Sequence, residues 1–150
     1  MAGKKKTNHQ LTSTMEDYLE AIWCLNRHGK IARLKDISHL IGVAPATANA
    51  AMKYLKKRAL IEQENYGYIE LTERGKRIAS KILKRHKLLV RFLQEILGLE
   101  KEIAEADACR LEHCVSPQTV ERLVKFLDFL DTYYARGDLP QWLEAFYQQS

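Results

Sequence analysis

Long apolar runs are missing from this 150-residue chain, which also holds few cysteines, few prolines and fewer acidic than basic residues. No stretch approaches the roughly 20 apolar residues that a membrane-spanning helix needs. The three cysteines, Cys24, Cys109 and Cys114, are odd in number and lack framework spacing, which argues against a disulfide-stapled secreted scaffold. No apolar segment follows the first lysines, as a signal peptide would require. We therefore expect a soluble, cytoplasmic protein with no membrane partner.

The charge balance points to a polyanionic partner. Lys and Arg number 24 against 19 Asp and Glu, which gives a net charge of +5, and the pI is near 9.1. The hydrophobic fraction of 46% and charged fraction of 29% are ordinary for a globular protein. Residues 1–10, with Lys4, Lys5 and Lys6, are predicted to be a disordered basic arm, and a solvated tail is favoured over a phosphate-binding one.

The first predicted helix carries two acids on one face. Ser13 and Glu16 match a capping box, so the helix is expected to begin near Ser13 and to end before Gly29. Asp17 and Glu20 lie three residues apart and share a face. Taken alone, the pair is best interpreted as solvent-facing acids that favour a helix N-terminus.

A helix-turn-helix is predicted next. Residues 35–41 have the pattern of a short amphipathic helix stopped by Gly42, and a tight connection leads to a second helix from Pro45 to about Arg58. Two short helices joined by a few residues that include Gly are typical of this motif.

A hairpin follows the motif. Residues 60–64 and 68–71 are strand candidates, and Asn65 and Gly67 between them suit a turn. Helix-turn-helix followed by a hairpin is the order of a winged helix, which reads DNA.

The second helix of the motif supplies the candidate DNA contacts. In a winged helix its N-terminal residues face the base edges, while the wing and nearby basic groups meet phosphates. The candidate base readers are Pro45, Ala46, Thr47 and Asn49, and the other predicted DNA contacts are Lys35, Lys53, Lys56, Lys57 and Tyr66. Asn49 can bond adenine, and the small side chains of Ala46, Ala48 and Ala50 permit close approach. The plainer alternative is an alanine-rich helix chosen for propensity, with an ordinary solvated basic end.

The second half of the chain is predicted to be all helical. A helix capped by Thr72 is expected to reach at least His86 and to end as late as Leu89. The apolar run 88–97 then suggests a buried or dimer-forming helix that ends at Gly98. Further helices are expected over about 100–115, from Ser116-Pro117 onward, and around 142–146 after a stop at 137–140. The predicted domains are 11–75, which binds DNA, and 76–150, which is helical.

One stretch of this second half carries metal-ligand chemistry. In a helix, Cys109, Glu112 and His113 stand at i, i+3 and i+4, so a thiolate, a carboxylate and an imidazole share one face. These groups could hold a divalent metal. They could equally be a buried cysteine beside a salt-bridging pair.

Three separated motifs together resemble the diphtheria toxin repressor family of metal-dependent regulators. They are Met15-Glu16-Asp17-Tyr18-Leu19-Glu20-Ala21-Ile22, Arg85-His86-Lys87-Leu88-Leu89, and Ala108-Cys109-Arg110-Leu111-Glu112-His113 followed by Ser116. The resemblance covers about residues 11–135. The chain length is similar to that of the manganese-repressor branch, which lacks the SH3-like domain of the longer iron repressors.

The resemblance implies a metal site, a homodimer and a palindromic DNA operator. The implied ligands are Asp17, Glu20, His86, Cys109, Glu112 and His113. The implied function is a metal-activated repressor of metal-uptake genes, with neither enzymatic activity nor a small-molecule substrate. The implied effector is Fe(II) or Mn(II), with Co(II) or Zn(II) possible in vitro.

The chain combines features of both branches of this family. The manganese branch has a carboxylate where Cys109 stands, and the iron branch has a Met where Asp17 stands. Thiolate suits Fe(II), Co(II) or Zn(II), whereas a carboxylate suits Mn(II). Val90 and Glu105 occupy positions where the iron branch has Glu and His at its ancillary site. We therefore favour one principal metal site per subunit.

Two other classes of function remain open from the sequence. A thiol-based redox regulator would use Cys109 and Cys114, although a spacing of five places them on different helix faces. A metal-dependent hydrolase could activate water at an open site. No oxyanion group or substrate loop supports the hydrolase, and a basic winged helix has no role in it.

Overall fold

The computed structural model of the chain describes residues 11–27, 29, 31–64 and 67–149. Over these residues it contains seven helices and a three-stranded sheet, which confirms the predicted winged helix-turn-helix followed by an all-helical region. Two compact units are present, residues 1–82 (the N-terminal unit) and residues 83–150 (the C-terminal unit). None of the helices in the described ranges has both the length and the apolar character to cross a bilayer. The predicted basic arm, residues 1–10, lies outside the described residues.

The N-terminal unit follows the predicted order, with one additional strand. Its elements are α1 (Ser13–Arg27), β1 (Ala32–Arg33), α2 (Leu34–Ile41), α3 (Pro45–Lys57), β2 (Ile61–Gln63), β3 (Tyr68–Leu71) and the first part of α4 (Glu73–Glu95). Gly42 ends α2 with φ of +78°, a left-handed conformation that glycine adopts without strain. Pro45 is the first residue of α3, where its missing N–H leaves no bond unmade.

The cap of α1 differs from the prediction. Ser13 is already the first helical residue, and the hydroxyl of Thr12 accepts the N–H of Met15 at 3.4 Å. Thr12, rather than Ser13, therefore caps the helix. The cap predicted for α4 is confirmed, because the hydroxyl of Thr72 accepts the N–H of Gly75 at 3.0 Å.

The extra strand completes the wing sheet. The strand order is β1-β3-β2, with both pairings antiparallel, and Ala32 of β1 lies opposite Ile69 of β3. Ile69 also pairs with Gln63 of β2. Two residues are too few to show the alternation by which a strand is recognised in a sequence, so β1 was not predicted.

A single apolar core holds α1, α2, α3 and the sheet together. Its fully buried members include Leu19, Ile22, Ile37, Leu55 and Ile69. Each element contributes an apolar stripe at its own period, and the opposite side of α3 stays exposed. The core thereby fixes the face that α3 presents to solvent.

The C-terminal unit is all helical. It contains the rest of α4, then α5 (Lys101–Leu111), α6 (Pro117–Tyr134) and α7 (Gln141–Tyr147). The cap predicted for α6 is confirmed, because the Ser116 hydroxyl accepts the N–H of Thr119 at 3.1 Å. α5 is shorter than predicted: it ends at Leu111, and Glu112 follows with right-handed helical dihedrals of −58° and −27°.

The helix that Thr72 caps is longer than predicted, because α4 continues unbroken from Glu73 to Glu95, well past Leu89. The apolar run is the buried part of that helix: Leu89 and Leu93 pack against Ala104 and Ala108 of α5. A second cluster contains Ile96 from the turn after α4, together with Leu127, Leu130 and Leu143 from α6 and α7.

Candidate metal centre and DNA interface

The packing of α4 on α5 brings the candidate metal ligands together. His86, Leu89 and Leu93 lie on one stripe of α4, at spacings of three and four residues. Leu89 and Leu93 pack on Ala104 and Ala108, which are fully buried. Because alanine side chains are small, the helices can approach closely, and the same stripe directs His86 toward α5.

The His86 ring lies between two carboxylates. Its Nδ1 is 2.8 Å from Oε2 of Glu112, and its Nε2 is 2.7 Å from Oε2 of Glu105. The Glu112 side chain is only 1% exposed, whereas that of Glu105 is 46% exposed. A buried carboxylate without a partner would be strongly unfavourable, so the ring compensates Glu112.

His86, Cys109 and Glu112 form a donor set that fits a divalent transition metal. One ligand atom from each, a nitrogen, a sulfur and an oxygen, lies within 4.8 Å of the other two. Metal–ligand bonds of about 2.0–2.3 Å place tetrahedral ligand atoms roughly 3.5 Å apart. The three side chains therefore need only small adjustments to share one ion. The structure brings His86 of α4, Cys109 of α5 and Glu112, which follows α5, close together, and their role as metal ligands stays a prediction.

Glu105 is a neighbour of this cluster that the sequence reasoning did not assign to the site. It lies four residues before Cys109 on α5, so both project from the same face. That spacing was the available signal. The family resemblance gives Glu105 no metal role, because its position holds a histidine in the iron branch.

The remaining predicted ligands lie around and beyond this cluster. His113 follows Glu112 past the end of α5, with Nε2 3.4 Å from Oε1 of Glu112 and a side chain that is 12% exposed. Asp17 and Glu20 lie on α1 in the N-terminal unit, and both are partly exposed. Their participation in a metal site stays a prediction.

The exposed face of α3 carries most of the predicted DNA contacts. Pro45, Ala46 and Thr47 are exposed in its first turn, and Asn49 is partly exposed. The exposed lysines are Lys53, Lys56 and Lys57 on α3 and Lys35 on α2. The first turn thus offers small and polar groups, while the rest of the helix offers cations, as base and phosphate contacts respectively require.

Ala48 does not lie on the exposed face, because it is fully buried in the core of the N-terminal unit. The suggestion that it permits close approach to DNA is therefore wrong. Tyr66 lies outside the described residues.

A cation on the wing was missed by the sequence reasoning. The guanidinium of Arg33, an exposed residue of β1, lies 5.5 Å from the ring centroid of Tyr68 on β3. This cation–π contact holds a positive charge beside the sheet. Because β1 itself was not predicted, no pattern connected Arg33 with the wing.

Positive charge is concentrated in the unit that carries α3. Residues 1–82 contain 15 Lys and Arg against 8 Asp and Glu, which gives a formal charge of +7. Residues 83–150 contain 9 against 11, which gives −2. This asymmetry favours a polyanion at the N-terminal unit.

Two family models match the chain. Residues 10–69 match "Iron dependent repressor, N-terminal DNA binding domain". Residues 72–140 match "Iron dependent repressor, metal binding and dimerisation domain". The candidate DNA-contacting helix lies in the first match, and the His86, Cys109 and Glu112 cluster lies in the second.

Relatives of similar length agree with these matches. An uncharacterised HTH-type transcriptional regulator of Methanocaldococcus jannaschii, MJ0568, is 34% identical over 119 residues, which are 79% of this chain and 95% of that protein. The HTH-type transcriptional regulator MntR of Bacillus subtilis is 31% identical over 125 residues, 83% of this chain and 87% of that protein.

Solved structures support the same fold. The manganese regulator SloR superposes with a TM-score of 0.69 at 30% identity, covering 77% of this chain and 54% of that one. The regulator MtsR superposes with a TM-score of 0.73 at 25% identity, covering 79% and 55%. The chain thus spans about half the length of these two structures.

Proposed function

Because the chain belongs to the iron-dependent repressor family of DNA-binding transcriptional regulators, we propose that it is a metal-activated repressor of genes for iron or manganese uptake. The members of this family are regulators rather than enzymes. One of their two domains binds DNA, and the other serves metal binding and dimerisation. The effector is a divalent transition metal. The target is a palindromic operator bound by a homodimer.

The observation that carries this proposal is the cluster of His86, Cys109 and Glu112. Three donor atoms of different chemistry lie within 4.8 Å of one another inside the domain that matches a metal-binding model. Glu112 provides a buried carboxylate, and His86 is held in position by two acids. His113 and the α1 acids Asp17 and Glu20 join the proposed ligand set through the family resemblance.

Control of DNA binding by metal follows from the proposed ligand set, because its residues belong to both domains of the chain. If Asp17 and Glu20 join the ligand set as the resemblance implies, a bound cation would supply positive charge and coordination bonds to ligands of both the DNA-binding and the dimerisation domain. Glu112, Asp17 and Glu20 would repel one another if they met without a cation. Metal and operator binding are then coupled, and by linkage the operator must raise metal affinity by the same factor. In a dimer, the two recognition helices must lie about 34 Å apart to engage successive major grooves.

Between iron and manganese, the two metals that the family resemblance implies, the donor set favours Fe(II) over Mn(II). The Cys109 thiolate and the His86 imidazole prefer Fe(II), Co(II) or Zn(II) to Mn(II), and only the carboxylates favour Mn(II). Relatives bind more than one metal in crystals: one solved repressor is complexed with manganese, and ScaR has been solved with Zn2+ and with Cd2+.

The test measures DNA binding as a function of metal. A DNA duplex selected from a random library by the purified protein serves as the operator, and its fluorescence anisotropy is followed anaerobically with Fe(II), Mn(II), Co(II), Zn(II) or a chelator. We expect binding to tighten by at least about tenfold with metal, and Glu112→Gln to lose this response while keeping weak, salt-sensitive DNA binding. Equal affinity with metal and with chelator in the unmutated protein would refute the proposal.

Thiol-based redox sensing is the second candidate, because Cys109 and Cys114 are both exposed. The same assay separates the two functions. A redox regulator would lose or gain operator affinity on mild oxidation in the presence of chelator, and Cys114→Ser would abolish that change. A metal-activated repressor would respond to oxidation only through loss of metal from Cys109.

A further inference from the structure

We propose that one face of the first half of α4 is a second DNA-binding surface, which takes the phosphate backbone rather than base edges. This surface, the α4 basic face, consists of Arg74, Arg77 and Lys81, all exposed residues of the N-terminal unit. The inference rests on the DNA-binding part of the proposed function and extends it to a helix outside the helix-turn-helix.

The three cations lie on one side of the helix. Spacings of three and four residues place them within about 60° of one another around the helix axis and within about 10 Å along it. Neighbouring like charges at these spacings on a helix repel one another. Such a face is mildly unfavourable until an anion covers it.

No acid among the described residues forms an ion pair with Arg77 or Lys81. Glu73, the acid of the first turn, instead bonds Lys76 at 2.8 Å, and Lys76 lies on a different side of the helix from the basic face. Arg74 donates to the backbone carbonyl of Arg58 at 3.3 Å, a bond that leaves its charge uncompensated. Glu73 also attracts Arg77, four residues along the helix, without forming a direct ion pair with it. Most of the positive charge of the face is therefore available to a partner.

The bond from Arg74 places this face relative to α3. Arg58 is the C-terminal cap of α3, whose 13 residues extend about 18 Å from Pro45. The α4 basic face therefore begins at the end of the recognition helix opposite its base-reading first turn. Lys56 and Lys57 are exposed in the last turn of α3, so further cations lie at the end of the helix where the α4 basic face begins.

The chemistry of the face selects phosphate as its ligand. It presents long cationic side chains and no Asn or Gln, the residues that bond adenine bidentately. Such groups neutralise phosphates and release counterions without reading sequence. The formal charge of +7 on residues 1–82, against −2 on residues 83–150, indicates that this excess belongs to the DNA-binding unit.

The test compares two double variants that remove the same charge. Arg77→Gln with Lys81→Gln neutralises the face, and Lys101→Gln with Arg136→Gln neutralises two exposed cations of the C-terminal unit. Binding to a 40-bp duplex of random sequence is measured by anisotropy in chelator, from 50 to 300 mM KCl. Circular dichroism checks that both variants fold.

We expect the face variant to reduce the slope of log K against log[KCl] by about 0.9 for each phosphate that the protein no longer neutralises, up to about 1.8. The control variant should keep the slope of the unmutated chain. An unchanged slope in the face variant overturns the proposal and would favour an acidic protein as the partner that binds the face. An equal change of slope in the control variant also overturns the proposal.

The measurement is independent of metal activation because chelator is present throughout. A chain that shows the slope difference but no metal response on the selected operator would keep this inference and refute the proposed function. A chain that shows a metal response on the selected operator but no slope difference would keep the proposed function and refute this inference.

Discussion

His86 and Glu112 form a pair in which the ring Nδ1 lies 2.8 Å from a carboxylate oxygen that is almost fully removed from solvent. Removing one member of a buried charged pair leaves the other uncompensated, and this typically costs about 3–5 kcal/mol. Replacing both by apolar residues of similar size is far less costly, because no charge then stays buried.

The first prediction is that His86→Leu destabilises the metal-free protein more than the double change His86→Leu with Glu112→Leu. His113, at 3.4 Å from Glu112, partly replaces the lost ring, so the single variant should fall at or below the lower end of that range. Urea unfolding in chelator, followed by circular dichroism, gives both free energies. A double variant less stable than His86→Leu would show that Glu112 is adequately solvated without its partner.

A second prediction concerns Glu105, which bonds the other nitrogen of the same ring. Groups that orient a metal-ligating histidine typically contribute 10–100-fold to metal affinity. Because its side chain is about half exposed, Glu105→Gln should weaken Co(II) binding by about tenfold, with little change in stability. Glu102→Gln, an exposed acid on the same helix, is the control. Optical titration of the Co(II) bands measures the metal affinity of both variants. If Glu105→Gln and Glu102→Gln bind Co(II) equally well, Glu105 does not orient the His86 ring for metal binding.

The sequence revealed the site only in part, and the reason lies in how each residue signals its role. Cys109, Glu112 and His86 belong to motifs that a reader can find one by one, and the structure brings them together. Glu105 carries only a weak signal, its spacing of four residues from Cys109, because an acid on a helix is ordinarily solvated. Its role depends on the distance between α4 and α5, which packing of Ala104 and Ala108 decides.

The fold shows the same division between local and tertiary information. Caps at Thr72 and Ser116 were readable because their hydroxyls bond nearby backbone groups. The full length of α4, to Glu95, could not be read from the sequence. A change from polar to apolar composition near residue 88 looks the same whether a new helix begins there or one helix becomes buried by its packing partners. Pro117 favours the extended conformation of Ser116, so the sequence indicates that a helix must end before Ser116. It does not indicate that α5 ends several residues earlier, at Leu111.

A third prediction concerns the close approach of Gly75 to Leu60. A Cβ at position 75 would lie 2.0 Å from the Leu60 carbonyl oxygen, and that oxygen already accepts the N–H of Thr72 at 3.1 Å. Because a backbone atom cannot rotate away, Gly75→Ala must displace the start of α4, with a loss of roughly 1–3 kcal/mol. Urea unfolding should show this loss. Lys76→Ala, at the exposed neighbouring position, is the control, and an unaltered midpoint in Gly75→Ala would contradict the packing described.

A fourth prediction is a pH dependence that arises from Asp131. The guanidinium of Arg91 donates to both oxygens of Asp131, and this hydrogen bonding lowers the pKa of that carboxyl below its usual value. A lowered folded pKa means that the stabilisation is present above the unfolded pKa of about 3.9 and is lost as pH falls through the folded value. Asp131→Asn should therefore be less stable than the unmutated chain at pH 6, and the difference should vanish on acidification.

Urea midpoints between pH 2.5 and pH 7 test this dependence. The expected effect is small, because both partners are exposed enough for solvent to screen them. Asp128→Asn on the same helix removes an acid that has no ion pair among the described residues, so it should show no such pH dependence. A difference that grows toward low pH would reverse the sign and rule out the ion pair as its cause.

The last prediction is that Cys109 decides which metal activates the protein. It is the only thiolate in the cluster with His86 and Glu112, and the resemblance places a carboxylate at this position in the manganese branch. Replacing soft sulfur by hard oxygen should shift preference toward Mn(II), because the other donors do not change. Cys109→Glu should therefore raise the ratio of operator affinity with Mn(II) to that with Fe(II), while Cys114→Ser leaves the ratio unaltered. If the ratio stays the same in Cys109→Glu while both metals still activate, the selectivity must reside in the carboxylates and histidines rather than in the thiolate.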